Sequence, residues 1–301
     1  MAKPQRGGQG ANASNNILNS PTVLGTQARA AVQSARATGR NFTWQTNGRT
    51  FTATPSGSIL NGNGQVLQQG SFADHSDTQM AMLRMMMGQT GNEAGLNRRF
   101  QGDPRSTYVQ TSKSYLVNQA LESNMTTLTN PFIQNDNGAM HWIRTGYTMN
   151  DATQTIRSID AGMKPTTQNL RLVRYENERA FSSLLGRDLT ASEIRNIQGM
   201  SDAQLNTMFV GRDRTSKGYL STSWRMDTNS ARDRQYMSNA VAIEYTASAG
   251  IHAVVTNNIG EHEVLVGRGY TQRVTGVRKE GKQIIFSITL DPNNRSGYYK
   301  V

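Results

Sequence analysis

The sequence contains no cysteine, and that absence removes several chemistries at once. Disulfide-stapled secreted scaffolds, zinc ribbons, iron–sulfur clusters and a thiolate nucleophile are all excluded. Acidic residues are scarce beside basic ones: 21 Asp and Glu stand against 32 Lys and Arg in 301 residues, a formal charge of +11. Aromatics reach only 7% and apolar residues 36%, with a mean hydropathy of −0.60, so part of the chain is polar filler. No run approaches the roughly 18–20 apolar residues of a membrane span. Met1 to Gly10 is basic but leads into Ala, Asn and Ser, not an apolar segment, so no Sec signal is expected. Phosphate-loop, dinucleotide-fingerprint and H-E-x-x-H signatures are missing too. The four histidines, His75, His141, His252 and His262, show no metal-ligand spacing; surface or structural roles are expected for them, and no metal is implied.

What remains is enough length for one large or two modest domains with a real core. A basic balance fits nucleic acid, an anionic surface, an acidic protein target, or solubility alone. Residues 1–75 hold six cations and one anion and are rich in Asn, Gly, Gln, Ser and Thr, which reads as a polar, partly flexible accessory region. Nowhere do five basic residues run together, and no aromatics interleave with them as on a stacking platform. Within this region Thr26 to Thr38 is an Ala-rich candidate helix, and Asn47-Gly48 between β-prone residues predicts a hairpin. A second hairpin is expected around Asn61 to Gly64.

From Asp77 the texture changes. Met80, Met82, Leu83, Met85, Met86 and Met87 form a dense helical patch, read as a core helix, with an adaptable binding surface as the alternative. Ser112 to Met125 and Thr148 to Gly162 predict further helices, and Thr190-Ala-Ser-Glu193 is a capping box. Strands are expected at Leu170 to Arg174, Gly218 to Ser223, Ala240 to Ala247, Ile251 to Thr256, Glu263 to Val266, Gln272 to Arg278 and Gln283 to Leu290. Helices followed by a run of short strands predict an α+β fold with an antiparallel-rich sheet, not a doubly wound parallel one.

Three short segments carry the chemistry. Glu261 and Glu263 stand two apart at the start of an apolar strand, so they are expected side by side on one face. Like charges so placed repel, and at least one carboxyl pKa should rise unless a cation or ligand intervenes. Paired carboxylates suit glycosidic cleavage, in which positive charge grows on the sugar; a solvent-exposed strand end is the bland alternative. Gly218-Tyr-Leu-Ser-Thr-Ser223 offers three hydroxyls able to bond carboxylates or ribose. Leu170-Arg171-Leu172-Val173-Arg174 ends a strand with a guanidinium suited to phosphate.

In that order, Arg, then Ser-Thr-Ser, then Glu-x-Glu followed by Val-Leu, these segments resemble the R-S-E class of ADP-ribosyltransferases. That class includes clostridial binary toxins, insecticidal toxins, arginine-specific eukaryotic enzymes and phage enzymes that modify host proteins. The resemblance runs from about Asp151 to Leu290. It takes in the helix Thr155-Ile-Arg-Ser-Ile-Asp-Ala-Gly162 and the segment Glu261-His-Glu-Val-Leu-Val-Gly-Arg-Gly-Tyr270. It implies an ADP-ribosyltransferase fold, a mostly antiparallel core of two packed sheets with N-terminal helices, and a catalytic domain over residues 76–301.

The resemblance also implies roles. Arg174 would grip the NAD+ diphosphate, with Arg171 the competing assignment. Ser221 would brace Glu263, and Thr222 and Ser223 would line the nicotinamide side. Glu263 would bond the ribose and stabilise the charge that develops as nicotinamide leaves, while Glu261 would orient or deprotonate the acceptor. A Glu at that position goes with arginine acceptors in the class. Thr256 to Gly260 would meet the target and Trp224 to Tyr236 would cover the phosphates, with Arg225, Arg232 and Arg234 as phosphate contacts. Two features depart from the class: Tyr175 follows Arg174 where Gly is common, and the target loop offers Ile259 in place of an aromatic.

The expected activity is therefore NAD+-dependent mono-ADP-ribosylation of a protein, on arginine, with NAD+ as substrate and no metal. The expected setting is an effector, toxin or phage enzyme, cytoplasmic in its producer or delivered by a secretion system or phage particle, with an antidote protein as a further partner. Transfer to nucleic acid, net NAD+ hydrolysis and a non-enzymatic structural role are the alternatives, in falling order.

Overall fold

Asn47 and Gly48 both take left-handed backbone, with φ of 49° and 70°. That closes a two-residue turn between β1 (Phe42–Thr46) and β2 (Arg49–Ala53). β3 (Ile59–Asn61) and β4 (Val66–Gln68) extend this hairpin into a four-stranded antiparallel meander. The Ala-rich helix α1 (Val23–Thr38) starts a turn earlier than Thr26 and lays Ala28, Ala31, Val32 and Ala35 against Phe51, Ala53 and Ile59. Residues up to Ser71 form this first compact unit of a computed structural model. The structure describes residues 17–38, 40–68, 70–91, 93, 113–128, 132–134, 140–142, 148–226, 230–256 and 262–301.

The second unit runs from Phe72 to Val301. Its helices are α2 (Asp77–Met86), α3 (Lys113–Glu122), α4 (Met149–Gly162), α5 (Arg179–Leu185), α6 (Ala191–Gly199), α7 (Asp202–Phe209) and α8 (Ala231–Met237). A two-stranded piece, β5 (Phe132–Gln134) and β6 (Met140–Trp142), precedes the main strands. These are β7 (Lys164–Pro165), β8 (Leu170–Glu176), β9 (Asp213–Thr215), β10 (Leu220–Ser223), β11 (Val241–Ala247), β12 (His252–Val255), β13 (Glu263–Val266), β14 (Thr271–Glu280) and β15 (Gln283–Leu290). Four helix starts, those of α2, α4, α6 and α7, carry side-chain capping boxes, including the expected one in which Thr190 and Glu193 satisfy each other's backbone N–H groups.

The main strands run in the order β7-β12-β13-β10-β8-β11-β15-β14-β9. Each neighbouring pair is antiparallel except β11 and β15. The two halves, β7-β12-β13-β10 and β8-β11-β15-β14-β9, meet at the single pair Ser223 and Val173. The α+β architecture of two mostly antiparallel sheets expected from sequence is thus present, joined at one point.

Both faces of β13 are covered, which explains its unbroken apolar run. Val264 and Val266 face the larger core with Leu172, Val241 and Phe286, whereas Leu265 packs with Ile156 and Ile159 of α4 and Val117 and Leu121 of α3. Helices α5 and α7 reach the far half through Phe181, Phe209 and Phe286, the last two edge to face at 5.0 Å between ring centres. The methionine patch divides its duties. Met80, Leu83 and Met87 enter the core, but Met82, Met85 and Met86 stay exposed, so the core reading holds for one side of α2 only.

Candidate active site

The point where the two half-sheets meet is also where the sequence-derived candidates gather. Arg174 lies near the end of β8, Ser221 to Ser223 end β10, and Glu263 opens β13. Ser223 pairs directly with Glu263, so Ser221, two residues away, shares its face. A glutamate is long enough to span that diagonal, and Ser221 Oγ donates to Glu263 Oε1 at 2.7 Å. Thr222 alternates to the other face, where its hydroxyl donates to the Val264 carbonyl at 2.8 Å.

The second carboxylate oxygen of Glu263 receives the Thr256 hydroxyl at 3.3 Å. Thr256 directly follows β12, and its backbone N–H donates to the Glu263 carbonyl at 3.0 Å. Glu263 is 3% exposed. A carboxylate this buried, with a hydroxyl on each oxygen, is held in one orientation.

Arg174 is anchored from two sides. Its Nε donates to Glu176 Oε1 at 2.7 Å and its Nη1 to the Ser221 carbonyl at 3.0 Å. One strand therefore supplies both the backbone stop for the guanidinium and the hydroxyl that fixes the carboxylate.

Arg174, Ser221, Thr222, Ser223 and Glu263 line one cavity of about 230 Å³, together with Val173, Tyr175, Met226, Asp233 and Tyr236. Burial, then the nearby carboxylates of Glu244, Glu280 and Asp233, push the Tyr175 hydroxyl pKa well above its ordinary range, so it stays protonated as a donor.

Arg171 is not among the cavity-lining residues. Its guanidinium is tied to the Asp74 carboxylate and to the Phe72 carbonyl, and its backbone N–H donates to His75 Nε2 at 3.0 Å. Arg225 pairs with Asp77 at 3.5 Å. Arg232 and Arg234 fall on α8, which replaces the second half of the expected loop from Trp224 to Tyr236; the side chains of both lie outside the described residues.

Glu261, with residues 257–260, also lies outside the described residues. The expectation that it shares a strand face with Glu263 therefore falls outside them too. β13 begins at Glu263, and His262 just before it takes a left-handed φ of 47°. His262 sets its ring edge-on to Trp224 at 5.5 Å, and its carbonyl accepts the Trp224 backbone N–H.

Thr256 and Asp233 fall within the segments expected to meet the target and to cover the phosphates, but neither they nor Glu176 and Tyr175 are singled out individually by any motif. Glu176 is legible in principle, since it stands two residues beyond Arg174 on one strand and carries the opposite charge. Asp233 and Tyr236 reach the cavity through α8, which no motif announces.

Chemically, the cavity offers a guanidinium, hydroxyls and a buried carboxylate. That donor set fits a dinucleotide: cation for diphosphate, hydroxyls and carboxylate for ribose.

Residues 106–293 match the sequence model described as ADP-ribosyltransferase exoenzyme. No curated protein matches the chain in sequence. Solved structures similar to the chain include an ADP-ribosyltransferase from Clostridium botulinum, at 16% identity and a TM-score of 0.42, covering 72% of this chain and 97% of that one. C3stau2 from S. aureus with NAD matches at 15% identity and 0.44, with the same coverage of 72% and 97%. The ADP-ribosylating toxin BECa of a C. perfringens binary enterotoxin matches at 12% identity and 0.47, covering 83% of this chain and 55% of that one.

Proposed function

Because the chain belongs to the ADP-ribosyltransferase exoenzyme family, with NAD+ as its substrate, we propose that it transfers a single ADP-ribose to an arginine of a target protein and releases nicotinamide. The observation that carries this reading is the convergence of Arg174, Ser221 and Glu263 on one cavity, with Ser221 bonded to Glu263.

In this reading Arg174 holds the diphosphate, and Tyr175, Thr222 and Ser223 shape the wall beside it. Glu263 takes the ribose hydroxyl and faces the positive charge that develops on the sugar as nicotinamide departs. The bond from Ser221 keeps that charge aimed, and preorganised charge of this kind acts most in the transition state. Glu261 handles the acceptor, and its being Glu, not Gln, favours arginine. Residues 76–301 are the catalytic domain and residues 1–75 an accessory region that engages the target. The setting is that of an effector, toxin or phage enzyme acting in another cell.

Transfer to nucleic acid is a second reading, favoured by the charge of +11. One experiment separates them. The protein is incubated with NAD+ labelled on its adenylate half and a bacterial lysate, then with protease or nuclease, with Glu263→Ala as control. Glu263-dependent, protease-sensitive label supports the protein transferase; nuclease-sensitive label moves the acceptor to nucleic acid. Label found only in free ADP-ribose points to hydrolysis, and no Glu263-dependent NAD+ consumption overturns the proposal.

A further inference from the structure

We infer that Glu176 is a positioning residue that aims the Arg174 guanidinium into the cavity, an inference that rests on reading Arg174 as the diphosphate contact. Glu176 does not itself line the cavity, so whatever it contributes there passes through Arg174.

The geometry is specific. Glu176 stands two residues beyond Arg174 on β8, and its Oε1 accepts from Arg174 Nε at 2.7 Å. Nη1 of the same guanidinium is held by the Ser221 carbonyl, and among the described residues Nη2 has no protein partner. Two of three nitrogens are thus fixed from within the protein, and the remaining edge is left for a ligand. A carboxylate gripping Nη1 and Nη2 as a fork would consume the edge best suited to phosphate; one bound at Nε leaves it available.

Arg214 explains why Glu176 keeps that grip. Its Nη1 lies 3.7 Å from Glu176 Oε2, and this buried nitrogen makes no hydrogen bond. Each carboxylate oxygen therefore faces a different cation, which opposes rotation of Glu176 into a fork on Arg174. One negative charge between two positive ones leaves Arg174, Glu176 and Arg214 together with one net positive charge. Glu176 is 15% exposed, so its pull on Arg174 is weakly screened.

The test is direct binding of NAD+ to the full chain by calorimetry, beside NAD+ consumption kinetics. Glu176→Ala should weaken NAD+ binding about tenfold, the size expected for one charge-assisted contact. KM should rise in step while kcat stays within about twofold, since the contact holds ground and transition states alike. Glu176→Gln keeps an acceptor for Nε and should bind within about threefold of wild type. In an Arg174→Ala background, Glu176→Ala should cost nothing more. If Glu176→Ala does not fold, Glu176→Met, closer in volume and equally without an acceptor, gives the same readout.

Wild-type affinity in Glu176→Ala or Glu176→Met overturns the inference, as does equal weakening in the Arg174→Ala background. A wild-type chain that binds NAD+ no better than Arg174→Ala overturns the reading of the site, and the inference with it.

Discussion

Ser221 and Glu263 are joined by a 2.7 Å hydrogen bond across the diagonal of an antiparallel pair, at the seam between the two half-sheets. The bond forms because Ser223, not Ser221, lies directly opposite Glu263, leaving Ser221 one pleat back on the same face. A hydroxyl bond to a carboxylate contributes about 1.5–3 kcal/mol, or roughly 10- to 100-fold in rate if it acts in the transition state. Ser221→Ala should therefore lower kcat for NAD+ cleavage by about that factor while changing KM much less. Steady-state kinetics check it, and a variant that loses affinity but not turnover would assign Ser221 to substrate binding instead.

A second relationship concerns stability alone. Arg268, 1% exposed, donates from Nε to both oxygens of Asp160 on α4, at 3.2 and 3.1 Å, and from Nη1 to the Tyr299 carbonyl at 2.6 Å. Tyr219 completes the cluster by donating to Asp160 at 2.6 Å. Removing one partner of such a pair typically costs about 3–5 kcal/mol. Arg268→Met should lower Tm by roughly 6–15 °C for a unit of this size, with NAD+ affinity unchanged in the folded protein at low temperature. Differential scanning calorimetry measures the first and titration the second. Gly269 belongs to the same joint: at φ 86° an added Cβ would sit 2.4 Å from the Tyr298 nitrogen, so Gly269→Ala should be destabilising as well.

That cluster also shows how much is legible in the sequence. The helix ending Ile-Asp-Ala-Gly162 and the turn Gly-Arg-Gly269 are separate pieces of one resemblance, and Asp160 and Arg268 turn out to bind each other. Alternation and turn chemistry predict the Asn47-Gly48 hairpin and the late run of strands, because those signals are local. The register is not local. Ser-Thr-Ser by itself does not say which hydroxyl meets Glu263; the resemblance singles out Ser221, and the strand register is what brings it there, while the Thr256 contact from the other side has no such signal. The turn into β13 is equally hidden: His262 takes a left-handed φ that no motif announces.

The capping box at α6 gives a pH prediction. The Thr190 backbone N–H, then the Arg187 guanidinium and the Thr190 hydroxyl, stabilise the ionised Glu193 carboxylate and lower its pKa from 4.5 to about 2. A carboxyl depressed in the folded state contributes stability that is present above about pH 4.5 and is lost as the pH falls toward 2. NMR titration of Glu193 should show that low midpoint, and Arg187→Met should move it upward. A wild-type midpoint near 4.5 would mean the box does not form in solution.

The two glutamates of the Glu-x-Glu segment should separate cleanly. Glu263 is buried and oriented by two hydroxyls, and under the proposed function it faces the sugar as positive charge develops, so Glu263→Gln removes charge with little change of shape. Loss of one preorganised electrostatic contact costs on the order of 10²–10³ in kcat, and NAD+ cleavage should fall at least that far, with or without acceptor, while NAD+ affinity stays within severalfold. Under the proposed function Glu261, two residues earlier in the sequence, handles the acceptor. Glu261→Gln should abolish transfer to an arginine substrate yet retain much of the hydrolysis of NAD+, because water needs less orientation than a guanidinium. Paired assays of nicotinamide release and labelled-acceptor formation read both numbers from one reaction. Equal loss of the two in Glu261→Gln would place both carboxylates on the ribose step and leave the acceptor without an assigned base.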